Sequence, residues 1–147
     1  MRVLLQRVTH GQVRMGGVIR GAIGPGLVAL VGVGPSDTQE TATALAGKCV
    51  DLRIFRDDDG LTNRSLIDVA GAMLVVSQFT LFGDTRKGRR PSFIRAAPPE
   101  VADALVEVFA TAVAARGVPV ERGVFGAEME VELVNDGPMT IWLDTDA

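Results

Sequence analysis

The sequence has one histidine, one cysteine and no tyrosine among its 147 residues. A Ser-His-Asp or Cys-His catalytic system would therefore have to use His10, which lies in a Thr9-His10-Gly11 segment typical of a turn. A zinc site built from His and Cys needs three or four such ligands, and a single cysteine cannot form an internal disulfide. We expect no metal and no cofactor. An enzyme of this composition has to work with hydroxyls, amides, backbone groups, carboxylates or groups of its substrate.

Long hydrophobic runs are also absent. The longest, such as residues 26–33, are broken by glycine, and none approaches the roughly 20 apolar residues that a membrane-spanning helix needs. Residues 1–7 become charged too early for a signal peptide. Apolar residues nevertheless make up 47% of the chain, enough for a core in a single domain covering residues 1–147. We expect a soluble cytoplasmic protein with no membrane contact.

Apolar patterns between turn signals predict a strand-rich chain with two helices. The strands are predicted over residues 3–8, 12–15, 18–23, 27–33, 52–55, 73–82, 118–120, 128–136 and 139–143. The helices are predicted to follow Asp37 and to cover 98–117. This order predicts an α+β domain with a largely antiparallel, strongly curved or barrel-like β-sheet and two main helices.

The start of the first helix carries a capping signal. Asp37 and Glu40 have the spacing of a capping box, and apolar residues between 42 and 52 then fall on one helical face. Cys49 lies on that face, so we interpret it as a small core residue rather than a nucleophile.

The segment Met73–Phe82 changes character along its length. Four apolar residues predict a strand buried on both faces, and Ser77, Gln78 and Thr80 then surround Phe79. Because a buried polar group costs free energy unless it is paired, this strand end must reach either solvent or a ligand. Residues alone leave both alternatives open.

Two further segments allow both a plain and a functional interpretation. Residues 83–92 form a polar loop with four cations on a chain of net charge −3, which is either solvated surface or a phosphate-binding loop. Residues 135–138 (Asn-Asp-Gly-Pro) are ordinary turn chemistry, although glycine also lets a backbone approach a ligand closely.

Two of these segments together resemble the motif pair of the D-aminoacyl-tRNA deacylases, the D-tyrosyl-tRNA deacylase family. They are Ser77-Gln78-Phe79-Thr80-Leu81 and Asn135-Asp136-Gly137-Pro138-Met139-Thr140. The resemblance covers essentially the whole chain, since segments 5–8, 52–55 and 84–93 fit as well. Met139, where valine is more usual, and Gly11-Gln12 in the first turn are small departures.

The resemblance implies a hydrolase that cleaves the ester between tRNA and a D-amino acid, or glycine mischarged on tRNA-Ala. It also implies a homodimer with active sites at the subunit interface. Gly137 and Pro138 of one subunit would form a cis-peptide element that enters the partner's site. Their carbonyls would capture the substrate's α-amino group, and an L side chain would collide with this backbone. Arg7 would brace the turn through hydrogen bonds to carbonyl oxygens.

The resemblance assigns catalysis to the end of the central strand. Ser77 and Gln78 would hold the strand end and the substrate, while backbone N–H groups near Phe79 and Thr80 would meet the developing oxyanion. The ribose 2′-hydroxyl of the terminal adenosine would activate or position the water. A nucleophilic Thr80 is disfavoured because no side-chain base is available beside it.

The same comparison places the adenosine in a pocket formed by Ala102, Phe125 and Met129. For Ala102 and Met129, ordinary core packing is the alternative. The cations at Arg86, Lys87, Arg89 and Arg90 would contact tRNA phosphates. Two other functions remain open: a non-catalytic tRNA-binding module that uses the loop 86–90 alone, and a dimeric sensor of a free D-amino acid.

Overall fold

Six strands form one strongly curved sheet, and two helices pack against it. The computed structural model describes residues 1–146. Its elements are β1 Arg2–Met15, β2 Val18–Ile23, β3 Gly26–Gly32, α1 Gln39–Asp51, β4 Phe55–Arg56, β5 Thr62–Arg64, β6 Ala72–Ser77, a 3₁₀ turn Phe79–Phe82, α2 Pro99–Ala115, β7 Val120–Arg122 and β8 Glu130–Asp144. Neither helix is long and apolar enough to cross a membrane within these described residues.

The sheet has the order β2-β1-β3-β6-β7, with β8 paired to β1 along its other side. Pairing is antiparallel except that β6 runs parallel to both β3 and β7. Strands β2 and β7, at the two ends of this order, also approach each other: a Cβ on Gly21 would lie 2.9 Å from the carbonyl oxygen of Arg122. The predicted α+β fold with a barrel-like sheet and two main helices is confirmed; the sheet is mixed rather than purely antiparallel.

Two apolar layers lie on opposite faces of the sheet. The larger joins β1, β3 and β6 to both helices, with Phe109 of α2 fully buried. The smaller, on the concave side, contains Val28, Leu74 and Val76. Strand β6 contributes to both layers, which explains its uninterrupted apolar run.

Strand β1 is continuous where the sequence predicted two strands separated by a turn. Its register with β8 continues through His10 and Gly11. Gly11 is required by packing: a Cβ there would lie 2.7 Å from Cγ2 of Val28. The Thr-His-Gly segment is therefore a crowded part of a strand, and the turn interpretation was wrong.

The capping box of α1 is formed by Thr38 and Thr41, one position later than predicted. The Thr41 N–H donates to Oγ1 of Thr38, and the Thr38 N–H donates to Oγ1 of Thr41, both over 3.2 Å. The Asp37 carboxylate accepts instead from the Gly34 N–H at 2.6 Å and from the ammonium of Met1 at 2.6 Å. Asp37 thus holds the strand-to-helix connection rather than the helix end.

Strand β6 ends at Ser77, earlier than the predicted strand over 73–82. The Gln78 N–H still donates to the carbonyl of Val31 at 2.8 Å, but the chain then turns into the 3₁₀ turn. The Leu81 N–H closes this turn on the carbonyl of Gln78. The polar side chains therefore lie at the carboxyl end of a buried parallel strand.

Candidate active site

A cavity of about 770 Å³ lies at the carboxyl end of β6. It is bordered by the 3₁₀ turn, the segment before α2, the first turn of α2 and the loop that precedes β8. Six predicted site residues line it together: Ser77, Gln78, Phe79, Ala102, Phe125 and Met129. These residues are far apart in sequence. The parallel pairing of β6 with β7 and the packing of α2 against the sheet bring them together.

The strand end brings polar groups to one wall of the cavity. Ser77 is half-buried and pairs with Val31 in the sheet, so its position is fixed by the ladder. The Gln78 amide donates from Nε2 to Oγ1 of Thr80, which ties the strand end to the turn. Thr80 is exposed and is not among the residues that border the cavity in the described chain. In a 3₁₀ turn the first N–H groups have no intrahelical acceptor, which leaves those of Phe79 and Thr80 for another partner.

The opposite wall is apolar. Ala102 is buried in α2 and belongs to the larger core layer, yet it also faces the cavity. Met129 packs against the smaller core layer, and its sulfur accepts the Val124 N–H at 3.3 Å. Phe125 is half-buried between them. Core packing and cavity lining are therefore compatible functions of Ala102 and Met129.

Arg7 holds the Gly137–Pro138 turn in place by hydrogen bonding. Residues 136–139 protrude from β8 opposite Arg7, because Val8 pairs with Asn135 whereas Gln6 pairs with Thr140. The guanidinium of Arg7, which is 3% exposed, donates to the carbonyl of Asp136 at 3.2 Å and to the carbonyl of Ile54. The Gly137–Pro138 peptide bond is cis, as the resemblance implied.

The turn is held further by two side chains. Asn135 closes its base by donating from Nδ2 to the carbonyls of Arg7 at 2.9 Å and Met139 at 3.0 Å. The Asp136 carboxylate lies 3.0 Å from Nη1 of Arg56 and 3.3 Å from Nε of Arg7. The hydrogen bond from Arg56, helped by the charge of Arg7, lowers the pKa of Asp136 below its ordinary value of 3.8.

Gly137 and Pro138 are exposed, and within the described chain neither borders the cavity. Glycine is required at position 137 for two reasons. Its φ is +124°, and a Cβ there would lie 2.6 Å from Nη2 of Arg7. One chain thus presents a polar cavity wall and a braced, protruding turn as two separate surfaces.

The basic loop is closed at its base. Asp84 and Ser92 form a backbone bridge with N–H to carbonyl distances of 2.7 and 2.9 Å. Asp84 also binds Arg86, with 2.6 Å between Oδ2 and Nη2, and hydrogen bonds from Arg86 lower the pKa of Asp84. Lys87, Arg89 and Arg90 extend into solvent. Arg86 is therefore partly neutralised, unlike its three neighbours.

The lone histidine and cysteine lie away from this site. His10 is half exposed on β1, with Nε2 4.0 Å from Oε2 of Glu132. Cys49 is fully buried in the core, where burial raises the pKa of its thiol to about 12. No group of three or more His, Cys, Asp or Glu side chains suited to a metal ion occurs among residues 1–146.

Several residues that border the cavity were missed by sequence reasoning. Glu128, predicted as the solvent side of an alternating strand, borders the cavity, as do Phe93 and Ile94. The strand begins only at Glu130, so Glu128 belongs to the loop before β8 and its pattern position was misleading. The available sequence signal was the apolar pair Phe93-Ile94 directly after the basic loop.

Comparison with known proteins gives a consistent assignment. The family model described as D-Tyr-tRNA(Tyr) deacylase matches residues 4–144. A D-aminoacyl-tRNA deacylase of Thermomicrobium roseum is 60% identical over 145 residues, covering 99% of this chain and 94% of the relative. One of Dinoroseobacter shibae is 57% identical over 144 residues, covering 98% and 99%.

A solved structure titled c-Myc DNA Unwinding Element Binding Protein is similar over 100% of both chains, with a TM-score of 0.94 and 37% identity. The family model thus matches nearly the whole chain. The chain belongs to the D-Tyr-tRNA(Tyr) deacylase family.

Proposed function

We propose that this protein is a D-aminoacyl-tRNA deacylase, a hydrolase acting on the carboxylic ester that joins a D-amino acid to tRNA. The observation that carries the proposal is the cavity that joins the Ser77–Phe79 wall to an apolar pocket of Ala102, Phe125 and Met129. Its volume of about 770 Å³ is adequate for an adenosine with an attached amino acid. The relatives at 57–60% identity carry this name.

Catalysis rests on positioning rather than on a protein nucleophile. A water molecule adds to the ester carbonyl carbon, and the carbonyl electron pair moves onto oxygen, where N–H groups of the 3₁₀ turn stabilise it. Collapse breaks the bond to the 3′-oxygen, which leaves with a proton as tRNA while the D-amino acid is released. The substrate's 2′-hydroxyl, adjacent to the ester, positions the water. Among the described residues, neither His10 nor Cys49 borders the cavity, which supports catalysis by positioning rather than by a protein nucleophile.

Stereochemical selection comes from a second subunit. The turn that Arg7 holds is exposed, and among the described residues Gly137 and Pro138 do not border their own cavity, so the turn suits insertion into the cavity of a partner in a two-fold dimer. There its carbonyls bind the α-ammonium group and its backbone excludes an L side chain. Glycine has no side chain to exclude, so glycyl-tRNA is also a substrate.

Phosphate binding is assigned to the basic loop. Lys87, Arg89 and Arg90 are exposed, and among residues 1–146 they have no acidic neighbour of the kind that Arg86 has in Asp84. Alanine at these three positions should weaken tRNA binding and flatten its dependence on salt concentration.

The decisive experiment compares hydrolysis of D-tyrosyl-, L-tyrosyl- and glycyl-tRNA by the purified protein, with a D-tyrosyl substrate ending in 2′-deoxyadenosine. Loss of the D and glycyl esters with the L ester retained supports the proposal, and stability of the deoxy substrate assigns a catalytic function to the RNA. A turn variant, Gly137→Ala, should relax the preference for D over L or abolish activity. Unchanged preference would refute the function given to the turn.

A non-catalytic tRNA-binding module is the second candidate, favoured by the exposed cations of the loop. It predicts salt-sensitive tRNA binding with no ester hydrolysis, and no effect of substitution at Gln78. If the D ester survives while tRNA binds, the hydrolase proposal fails and this candidate replaces it.

A further inference from the structure

Phe93 is a preorganised aromatic ring at the mouth of the cavity. Its ring lies edge-to-face against Phe79, with 5.2 Å between ring centroids and an angle of 78° between planes. Gly83 leaves the room that the ring occupies, since a Cβ there would lie 3.1 Å from Cε1 of Phe93. The ring is still 38% exposed. It is thus fixed on one side by its neighbours and open on another.

Ile94 continues this apolar rim. Its side chain is 89% exposed and borders the same cavity as Ser77 and Phe125. An isoleucine this exposed gains nothing from the core of its own chain, so its apolar surface is available to a ligand. We define Phe93 and Ile94 as the rim shelf.

The rim shelf is joined directly to positive charge. The bridge between Asp84 and Ser92 closes the base of the basic loop, and Phe93 is the next residue. Lys87, Arg89 and Arg90 therefore extend from the shelf on a closed lobe. A flat apolar platform beside a cationic lobe is the combination that binds single-stranded nucleic acid, with stacked bases and contacted phosphates.

We propose that the rim shelf stacks the base of the nucleotide preceding the terminal adenosine, while the basic lobe binds the phosphates beyond it. The inference rests on the proposed function and names a second subsite of the same active site. It follows from continuity: a single strand whose terminal adenosine fills the cavity must leave across its rim, and the cations lie on that side. The shelf makes the enzyme select an RNA end over an isolated adenosine ester.

The test uses two substrates that carry the same reacting ester. One is D-tyrosyl-adenosine, and the other is a D-tyrosyl-CCA trinucleotide, which adds the preceding bases. The variants are Phe93→Leu, which removes the aromatic face but keeps apolar bulk, and Ile94→Ser. Leu61→Ser, at a position 65% exposed that does not border the cavity among the described residues, is the matched control.

Wild-type protein should have a higher kcat/KM for the trinucleotide than for the adenosine ester. In Phe93→Leu this preference should fall by about fivefold to a hundredfold, the range expected for loss of one stacked base, and in Ile94→Ser by a smaller factor. Leu61→Ser should retain the full preference. Melting temperatures of all variants establish that they are folded.

Equal losses on both substrates in Phe93→Leu would overturn the inference, because the ring would then serve the adenosine site or the fold. An unchanged preference would overturn it as well. If sedimentation shows that Ile94→Ser alters self-association, the shelf is covered by a second copy and the inference is wrong. Failure of wild-type protein to hydrolyse D-tyrosyl-tRNA is a different result, since it refutes the proposed function itself.

Discussion

The Thr80 hydroxyl accepts a hydrogen bond from the Gln78 amide and is exposed outside the cavity lining. We expect Thr80→Val to lower kcat by less than about tenfold, because the backbone N–H that we propose meets the oxyanion is retained. Single-turnover hydrolysis of D-tyrosyl-tRNA measures this. A fall beyond about a thousandfold in a folded variant would identify the hydroxyl as an essential reacting group.

Glu128 is the carboxylate that borders the cavity and that sequence patterning assigned to solvent. A general base contributes about a hundredfold to ten-thousandfold to a rate. Because the proposed mechanism assigns the water to the substrate's 2′-hydroxyl, we expect Glu128→Gln to change kcat by less than about threefold. A loss of a hundredfold or more in a folded variant would assign the base to Glu128 instead.

The Asp136 carboxylate, in the turn that Arg7 holds, makes the free energy of unfolding depend on pH in the acid range. Its pKa is lowered in the folded protein, first by the hydrogen bond from Arg56 and then by the charge of Arg7. A carboxylate with a lowered pKa stabilises the fold fully above its unfolded pKa, ordinarily 3.8, and this contribution is lost as the pH falls through the lowered value. The free energy of unfolding should therefore differ between wild type and Asp136→Asn by a constant amount from pH 7 to about pH 5 and by less at lower pH.

Urea unfolding at pH 7, 5 and 3 measures that difference. Asp58→Asn is a suitable control, since the Asp58 side chain is 93% exposed. A difference that grows below pH 5 would contradict the assignment of Asp136 as a stabilising carboxylate.

At the scale of elements, sequence and structure differ on which residues cap α1: the sequence predicts Asp37 and Glu40, whereas the structure shows Thr38 and Thr41. Thr38→Ala removes the acceptor of the Thr41 N–H and should lower the free energy of unfolding by about 1 kcal/mol. Glu40→Gln alters the residue that the predicted capping box used, and we expect its effect to stay within about 0.5 kcal/mol. A larger loss for Glu40→Gln than for Thr38→Ala would contradict the observed cap.

Strand and helix patterns predicted the fold class because periodicity reports which faces are buried. The alternating segment near Glu130 had a clear period of two, and the unbroken apolar run of β6 indicated burial on both faces. The errors came where packing overrides local signals. Gly11 was assigned to a turn from its local sequence. The structure requires glycine there because of a close contact with Val28, 17 positions away in sequence, which no local pattern reports.

The polar wall of the cavity was indicated by the polar end of β6, but the opposite wall could not be derived from local patterns. Ala102, Phe125 and Met129 were indicated only by the family resemblance. Each also packs against the core, so its apolar character alone does not distinguish a cavity residue from a core residue. Glu128 was missed because the alternating pattern of β8 continues in sequence into the loop before it, and the rim shelf was missed because the segment after Ser92 has no periodicity. Cavities form between elements, and only tertiary structure defines them.

At the scale of the whole molecule, the separation of cavity and turn has a direct consequence. In a two-fold dimer each active site combines the cavity of one subunit with the turn of the other. If Gly137→Ala abolishes activity, it should therefore complement a second inactive variant whose cavity is blocked. Ala127→Phe fills the cavity, which Ala127 borders, and Gly137→Ala displaces the turn through its contact with Arg7 and its φ of +124°.

Mixed and allowed to exchange subunits, these variants form heterodimers in which one site pairs an intact cavity with an intact turn. Random exchange makes about half of all dimers heterodimers, so about a quarter of the sites, and of the wild-type rate of D-tyrosyl-tRNA hydrolysis, should return. A variant carrying both substitutions, mixed with wild type, is the control: each site of its heterodimers pairs one intact and one altered element, so only the wild-type homodimers, about a quarter of all dimers, should remain active. No recovery in the first mixture, with exchange verified by tagged subunits, would confine each active site to a single chain.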